Sequence, residues 1–174
     1  LYLLRLTYKL RPIEKQLPTP TELKTRSEMD LVQTFVDAFA RSSPTSTLTQ
    51  RLRGEVAALN AQLHFTRNED PTPWVENARD AFDKTVKAVP WDLGYRVRRA
   101  SVELWALRWA LRQKKASAAQ FDAALAPLQP LLDVKRDDPR LYQVLGEIKE
   151  LRAKFLIDRG DDAKPEIASA LDWI

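Results

Sequence analysis

The sequence predicts an all-α fold, an α-solenoid of stacked antiparallel helix pairs with about eight helices. Three observations predict it. The chain matches itself at a shift of 46 residues, apolar residues within each copy fall at helical spacing, and prolines mark the breaks.

The self-match is carried by columns of matched residues. Gly54, Ala100 and Gly146 form a column of small residues, followed by Val56, Val102 and Ile148. Leu59, Trp105 and Leu151 come next, then Leu63, Trp109 and Phe155, then Phe65, Leu111 and Ile157. Met29, Val75, Phe121 and Ile167 align across four copies, as do Val32, Ala78, Ala124 and Ala170, and Val36, Phe82, Leu128 and Ile174. Each column keeps its size class as well as its polarity. The copies are 1–45 (degenerate), 46–91, 92–137 and 138–174 (partial), in one domain over 1–174.

The first helix is expected near 2–11, before Pro12, Pro18 and Pro20. Met29, Val32, Val36 and Ala40 lie at i, i+3, i+7 and i+11, one stripe of a helix over 27–41 that Ser43-Pro44 ends. Gly54 to Phe65 give 47–66 a broader apolar face. Asp70-Pro71-Thr72-Pro73 opens 73–89, and Pro90 closes it. A helix is expected over 93–115, and its stretch 93–112 is apolar on most sides, which marks a helix sandwiched between neighbours. A helix over 117–133 follows. Pro139 then begins 139–159, Arg159-Gly160-Asp161-Asp162 ends it, and 164–174 is the last. No alternating strand pattern of useful length occurs.

Composition narrows the function classes. The 174 residues suffice for one core, and 44% apolar with 30% charged residues is a globular balance. The absence of cysteine excludes disulfides and thiolate metal sites. A single histidine, His64, leaves almost no material for a histidine metal site or relay, and four glycines cannot build a phosphate loop. The apolar runs fall short of the roughly 20 residues that span a bilayer, so no membrane insertion is expected. No signal-peptide pattern is seen, and a cytoplasmic location is expected. The chain begins at Leu1 without methionine, as a piece of something longer would. The net charge of +4 permits acidic partners without demanding them.

Tyr142-Gln143-Val144-Leu145-Gly146 is similar to the W-x-x-L-G opening of the tetratricopeptide repeat, with tyrosine for tryptophan. Ala78, Phe82 and Pro90 resemble the alanine, aromatic and closing proline of that repeat's second helix. The family's tyrosine three residues after the glycine is replaced by Ala57, Glu103 and Lys149. The period also exceeds the family's, which is about 34 residues. The added residues, about 12 per copy against that standard, fall at Thr66–Thr72, Arg112–Ser117 and Ile157–Lys164.

This extended form resembles the helical repeat region C-terminal to the catalytic domain of some bacterial serine/threonine protein kinases, through Arg159-Gly160-Asp161-Asp162 and Arg67-Asn68-Glu69-Asp70-Pro71. None of the kinase hallmarks occurs in this chain. The resemblance implies a right-handed stack and a protein–protein interaction scaffold in a larger signalling protein, with no catalysis and no cofactor. Its groove positions fall at Arg51, Glu55, Ser101, Gln143 and Glu147. The lysine and arginine clamp of some relatives is not reproduced, so the protein or peptide partner stays unidentified.

Other residues invite sharper readings. Trp105 and Trp109 could stack a ligand, but they occupy columns held by leucine and phenylalanine and are expected in the core. Trp74 and Trp91, beside prolines at helix edges, are better contact candidates. Segment 94–115 carries Arg96, Arg98, Arg99, Arg108, Arg112, Lys114 and Lys115 against Glu103 alone, so nucleic acid is the alternative partner. At 100° per residue these charges scatter around the helix, which suits a solvated edge. Asp137-Asp138 and Asp161-Asp162 precede helix starts and are expected to cap them. His64 shares an apolar column with Ala110 and Leu156 and reads as a filler of core or edge. The extended turns are expected to continue the core and to stack into a ridge carrying Arg67, Lys114, Lys115 and Lys164 beside Glu69, Asp70, Asp161 and Asp162.

Overall fold

The computed structural model describes residues 22–132, 134 and 138–171, with the side chains of 22–28 and 171 excepted. The helix expected near 2–11 lies outside them. The described residues form α1 (Glu22–Ser42), α2 (Thr47–Thr66), α3 (Thr72–Ala88), α4 (Leu93–Arg112), α5 (Ala118–Leu125), α6 (Gln129–Leu132), α7 (Pro139–Arg159) and α8 (Lys164–Leu171), with no strand among them.

The helix boundaries recur with the sequence. α2, α4 and α7 begin after Ser46, Asp92 and Asp138, each 46 residues from the last. The Ser46 hydroxyl accepts from the Thr49 N–H at 3.4 Å, and Asp92 and Asp138 accept from the N–H groups of Gly94 and Arg140 at 3.0 Å each. These contacts satisfy backbone donors that the first turn leaves free.

The same three helices end on left-handed residues, Asn68 (φ 61°), Lys114 (φ 55°) and Gly160 (φ 78°), again 46 apart. Beyond each, an N–H returns to a carbonyl five residues back: Glu69 to His64 at 2.8 Å, Lys115 to Ala110 at 2.8 Å, and Asp161 to Leu156 at 2.9 Å. This is the Schellman closure. Glycine adopts it freely, whereas Lys114 takes it at a cost of roughly 1–2 kcal/mol. The left-handed Lys114 also stops at Arg112 the helix expected to reach residue 115.

The helix expected over 117–133 is divided. α5 stops at Leu125, a turn covers 126–128, and only the short α6 follows. Pro127 and Pro130 supply the reason, since neither has an N–H for an i−4 bond and each ring crowds the preceding turn. The broken course still delivers Leu128 (0% exposed) and Leu131 (1%) to the core.

Five pairs of successive helices pack together: α1 on α2, α2 on α3, α3 on α4, α4 on α5 and α7 on α8. The helices that open successive copies also touch, α2 on α4 and α4 on α7. The interfaces use corresponding residues. Val102 shares a core with Ala57, Ala61, Val75, Ala78 and Phe82. One repeat on, Ile148 shares a core with Leu107, Phe121, Ala124 and Leu128. Met29, Val32 and Val36 of α1 cover Leu52, Val56 and Leu59 of α2.

Gly54 is buried where a β-carbon would come within 2.9 Å of the Phe82 ring. A glycine on α2 is therefore what lets α3 lie this close.

Two packing expectations need correction. Trp105 and Trp109 are half-buried and not enclosed. Indole is larger than the leucine and phenylalanine of their columns, and tryptophan is rarely covered completely. Ile157 is 59% exposed and Ile167 43%, although Phe121 and Val75 in the latter's column are 0% and 1%. No helix among the described residues lies against α7 and α8 as α4 lies against α2 and α3.

Candidate recognition face

The expected groove positions Glu55, Ser101 and Glu147 are one column of the repeat, carried by α2, α4 and α7. The structure sets Glu55 and Glu147 in contacts between those helices and Ser101 in a contact within α4. Glu55 pairs with Arg98 of α4, and the Ser101 hydroxyl donates to the Arg98 carbonyl at 2.7 Å. Glu147 pairs with Arg108 of α4 at 2.7 Å and accepts from the Gln143 amide at 3.0 Å. Arg51 is half-buried, and its Nε atom is enclosed without a hydrogen-bond partner.

Aromatic residues continue these contacts. The Arg108 guanidinium lies 4.8 Å from the Trp105 ring, and Trp105 packs on Phe65 at 5.5 Å. Arg112 covers Phe65 at 3.9 Å and donates to the Phe65 carbonyl at 2.9 Å and to the Asn68 side chain at 3.1 Å. Cation and ring attract through the ring's quadrupole. The turn after α2 and the end of α4 are thus tied together.

Of the two tryptophans expected at the contact edge, Trp74 packs on the same core cluster as Trp105, and Trp91 is exposed. Trp74, half-buried, lies 5.7 Å from His64 at the start of α3. His64 Nδ1 is 2.8 Å from Glu69, at the edge of the fold. Trp91, past the other end of α3, is 77% exposed.

Segment 94–115 does not present an open basic stripe. Arg98 and Arg108 are occupied as described, and Arg99 pairs with Asp83 at 2.8 Å and with Glu103. Lys114 and Lys115 are exposed. Of the acidic pairs, Asp138 and Asp162 cap helices, the latter accepting from the Lys164 N–H at 3.0 Å. Asp161 instead pairs with Arg159 at 3.1 Å, and Asp137 lies outside the described residues.

A second cluster was missed in the sequence reading. Glu103 accepts from Arg79 of α3 and from Arg99 of its own helix, and Arg99 reaches on to Asp83 of α3. Burial pushes the Glu103 carboxyl up, but the Arg79 hydrogen bonds and charge, joined by those of Arg99, outweigh it and hold Glu103 below the usual carboxylate range. Arg79 is raised in turn, chiefly by its hydrogen bond to Glu103. Glu103 is the only acid in 94–115, a signal that it serves the surrounding arginines. At the surface, hydrogen bonds from the Thr72 side chain and backbone lower Asp70.

Among the described residues no three His, Asp or Glu side chains are grouped to hold a metal, and no helix is long and apolar enough to cross a membrane. No protein-family model, curated protein or solved structure matches the chain.

Proposed function

We propose that this chain is a non-catalytic protein–protein interaction scaffold, a right-handed tetratricopeptide-like α-solenoid with a 46-residue unit, belonging to a larger bacterial signalling protein. One observation supports the reading: α4 touches both α2 and α7, and Glu55 and Glu147, equivalent positions of the repeat, each pair with an arginine of α4. Equivalent positions at regular spacing suit an extended peptide or a partner helix. The recurrent caps at 46, 92 and 138 and at 68, 114 and 160 support the repeat itself.

The pairing of Arg98, Arg99 and Arg108 with carboxylates speaks against nucleic acid as the partner, because those charges are already compensated. The partner is expected to meet a face of mixed charge.

A peptide library screened against the purified chain tests this. Peptides should be enriched, and Ser101→Arg and Gln143→Ala should weaken them while circular dichroism stays unchanged. A screen that enriches nothing, or peptides indifferent to both substitutions, would remove these positions as a recognition face. Binding of single- or double-stranded nucleic acid that falls steeply with salt would favour the alternative.

A further inference from the structure

The turns that close α2, α4 and α7 perform one structural task with different residues. At the aligned positions the first turn has Thr66, Arg67, Asn68 and Glu69, and the third has Asp158, Arg159, Gly160 and Asp161. The second has Arg112, Gln113, Lys114 and Lys115. All three turns make the same return hydrogen bond, so the closure itself does not call for cations. It even disfavours one of them. Lys114 holds φ 55°, where its counterparts Asn68 and Gly160 are residue types suited to a left-handed turn. Strain kept at a position where the sibling turns avoid it points to a side chain with a task besides the fold.

The cations stand ready for a partner. Arg112, Lys114 and Lys115 are exposed. The acids of the adjoining first turn are committed elsewhere: Glu69 lies 2.8 Å from His64, and Asp70 accepts from the Thr72 N–H at 2.9 Å. Arg112 is already positioned, stacked on Phe65 at 3.9 Å. Its hydrogen bonds to the Phe65 carbonyl and the Asn68 side chain are both donated by Nη1. Neither uses Nε or Nη2, the edge of a guanidinium that grips a carboxylate side-on through two parallel bonds. A group held in place before binding loses little freedom on binding.

We propose that this corner at the end of α4 docks an acidic segment of a partner protein, with one carboxylate gripped by Arg112 and neighbouring carboxylates met by Lys114 and Lys115. Nucleic acid suits the corner less. Arg98, Arg99 and Arg108 of the same helix are paired with carboxylates, so the cations do not run on into a stripe that could follow a phosphate backbone. The proposal rests on the scaffold reading but uses none of its groove positions.

The test uses the whole chain and a short fluorescent peptide alternating glutamate and serine, read by anisotropy. Saturable binding is expected, weakening as salt rises. Lys114→Asn with Lys115→Gln removes both lysines and places at 114 the residue type of the first turn, so the helix still closes. This double variant should bind at least about tenfold more weakly and melt close to the wild type. Lys84→Gln with Lys87→Gln, exposed on α3, changes the net charge equally and should leave binding unchanged. Gln143→Ala, the groove variant, should also leave it unchanged, which separates failure here from failure of the groove. No saturation at submillimolar peptide overturns the proposal, as does equal weakening in the two lysine pairs. Melting of the 114/115 variant well below the wild type would assign the cations to the fold instead. An oligothymidylate held more tightly than the peptide, and lost in the same variant, would overturn the partner.

Discussion

Gly54 and Phe82 show how one atom on α2 sets the spacing of α3. The Phe82 ring is 1% exposed and sits where the Gly54 side chain would begin. A β-carbon at 2.9 Å from two ring atoms is closer than packed atoms tolerate, and the ring is enclosed by Ala57, Ala61 and Ala78, so it has nowhere to swing. Gly54→Ala would improve helix propensity by up to about 1 kcal/mol in an exposed position. Here overpacking outweighs that gain, and the variant should lose about 1–3 kcal/mol in denaturant unfolding. Phe82→Leu shortens the obstructing side chain. Combined with Gly54→Ala it should lose less than the sum of the two single changes, and strict additivity would show that the two positions are not in contact.

Between elements, the ion network of α3 and α4 binds helices that apolar packing also joins. Glu103 has 14% of its side chain exposed and is held ionised by Arg79 and Arg99. Its folded pKa lies below the unfolded value, so its contribution is complete above the ordinary carboxylate range and is lost as pH falls through the folded pKa. Glu103→Gln should cost about 1–3 kcal/mol near neutrality, since two arginines lose a charged partner. Below the usual carboxylate range the wild-type and variant stability curves should converge. Curves that stay parallel into acid would assign the loss to shape and not to charge. This network was hard to read because Arg79 lies 24 residues from Glu103, and sequence spacing does not report which helix faces which. The caps at Asp138 and Asp162 were legible because each acts on backbone two residues away. Pro127 and Pro130 were equally local signals, and the apolar pattern of 117–133 masked them.

Across the whole molecule, three joints have one covalent plan and three different surroundings. Each carries the same return hydrogen bond, from Glu69, Lys115 and Asp161, and Gly160 takes the left-handed turn without the cost that Lys114 bears, so closure alone would not weaken the third joint. What differs is the cover. The first joint has Phe65 against Trp105, with Arg112 of the following helix stacked on the ring and bonded to its carbonyl. In the second, Leu107 is 2% exposed and Leu111 packs on the core that α7 completes. In the third, Ala153 and Phe155 are 5% and 7% exposed, but Ile157 stands open and no following helix among the described residues covers it. Arg112 ties the first extended turn to the end of α4 through Phe65 and Asn68. Local opening follows the loss of apolar cover. Amide hydrogen exchange should therefore be slow through 61–66, nearly as slow through 107–112, and clearly faster through 153–158. Equal protection at all three would mean that the caps alone hold the joints and that stacking between units adds nothing. Faster exchange at 61–66 than at 153–158 would place the weakest joint at the opposite end of the described helices from Ile157.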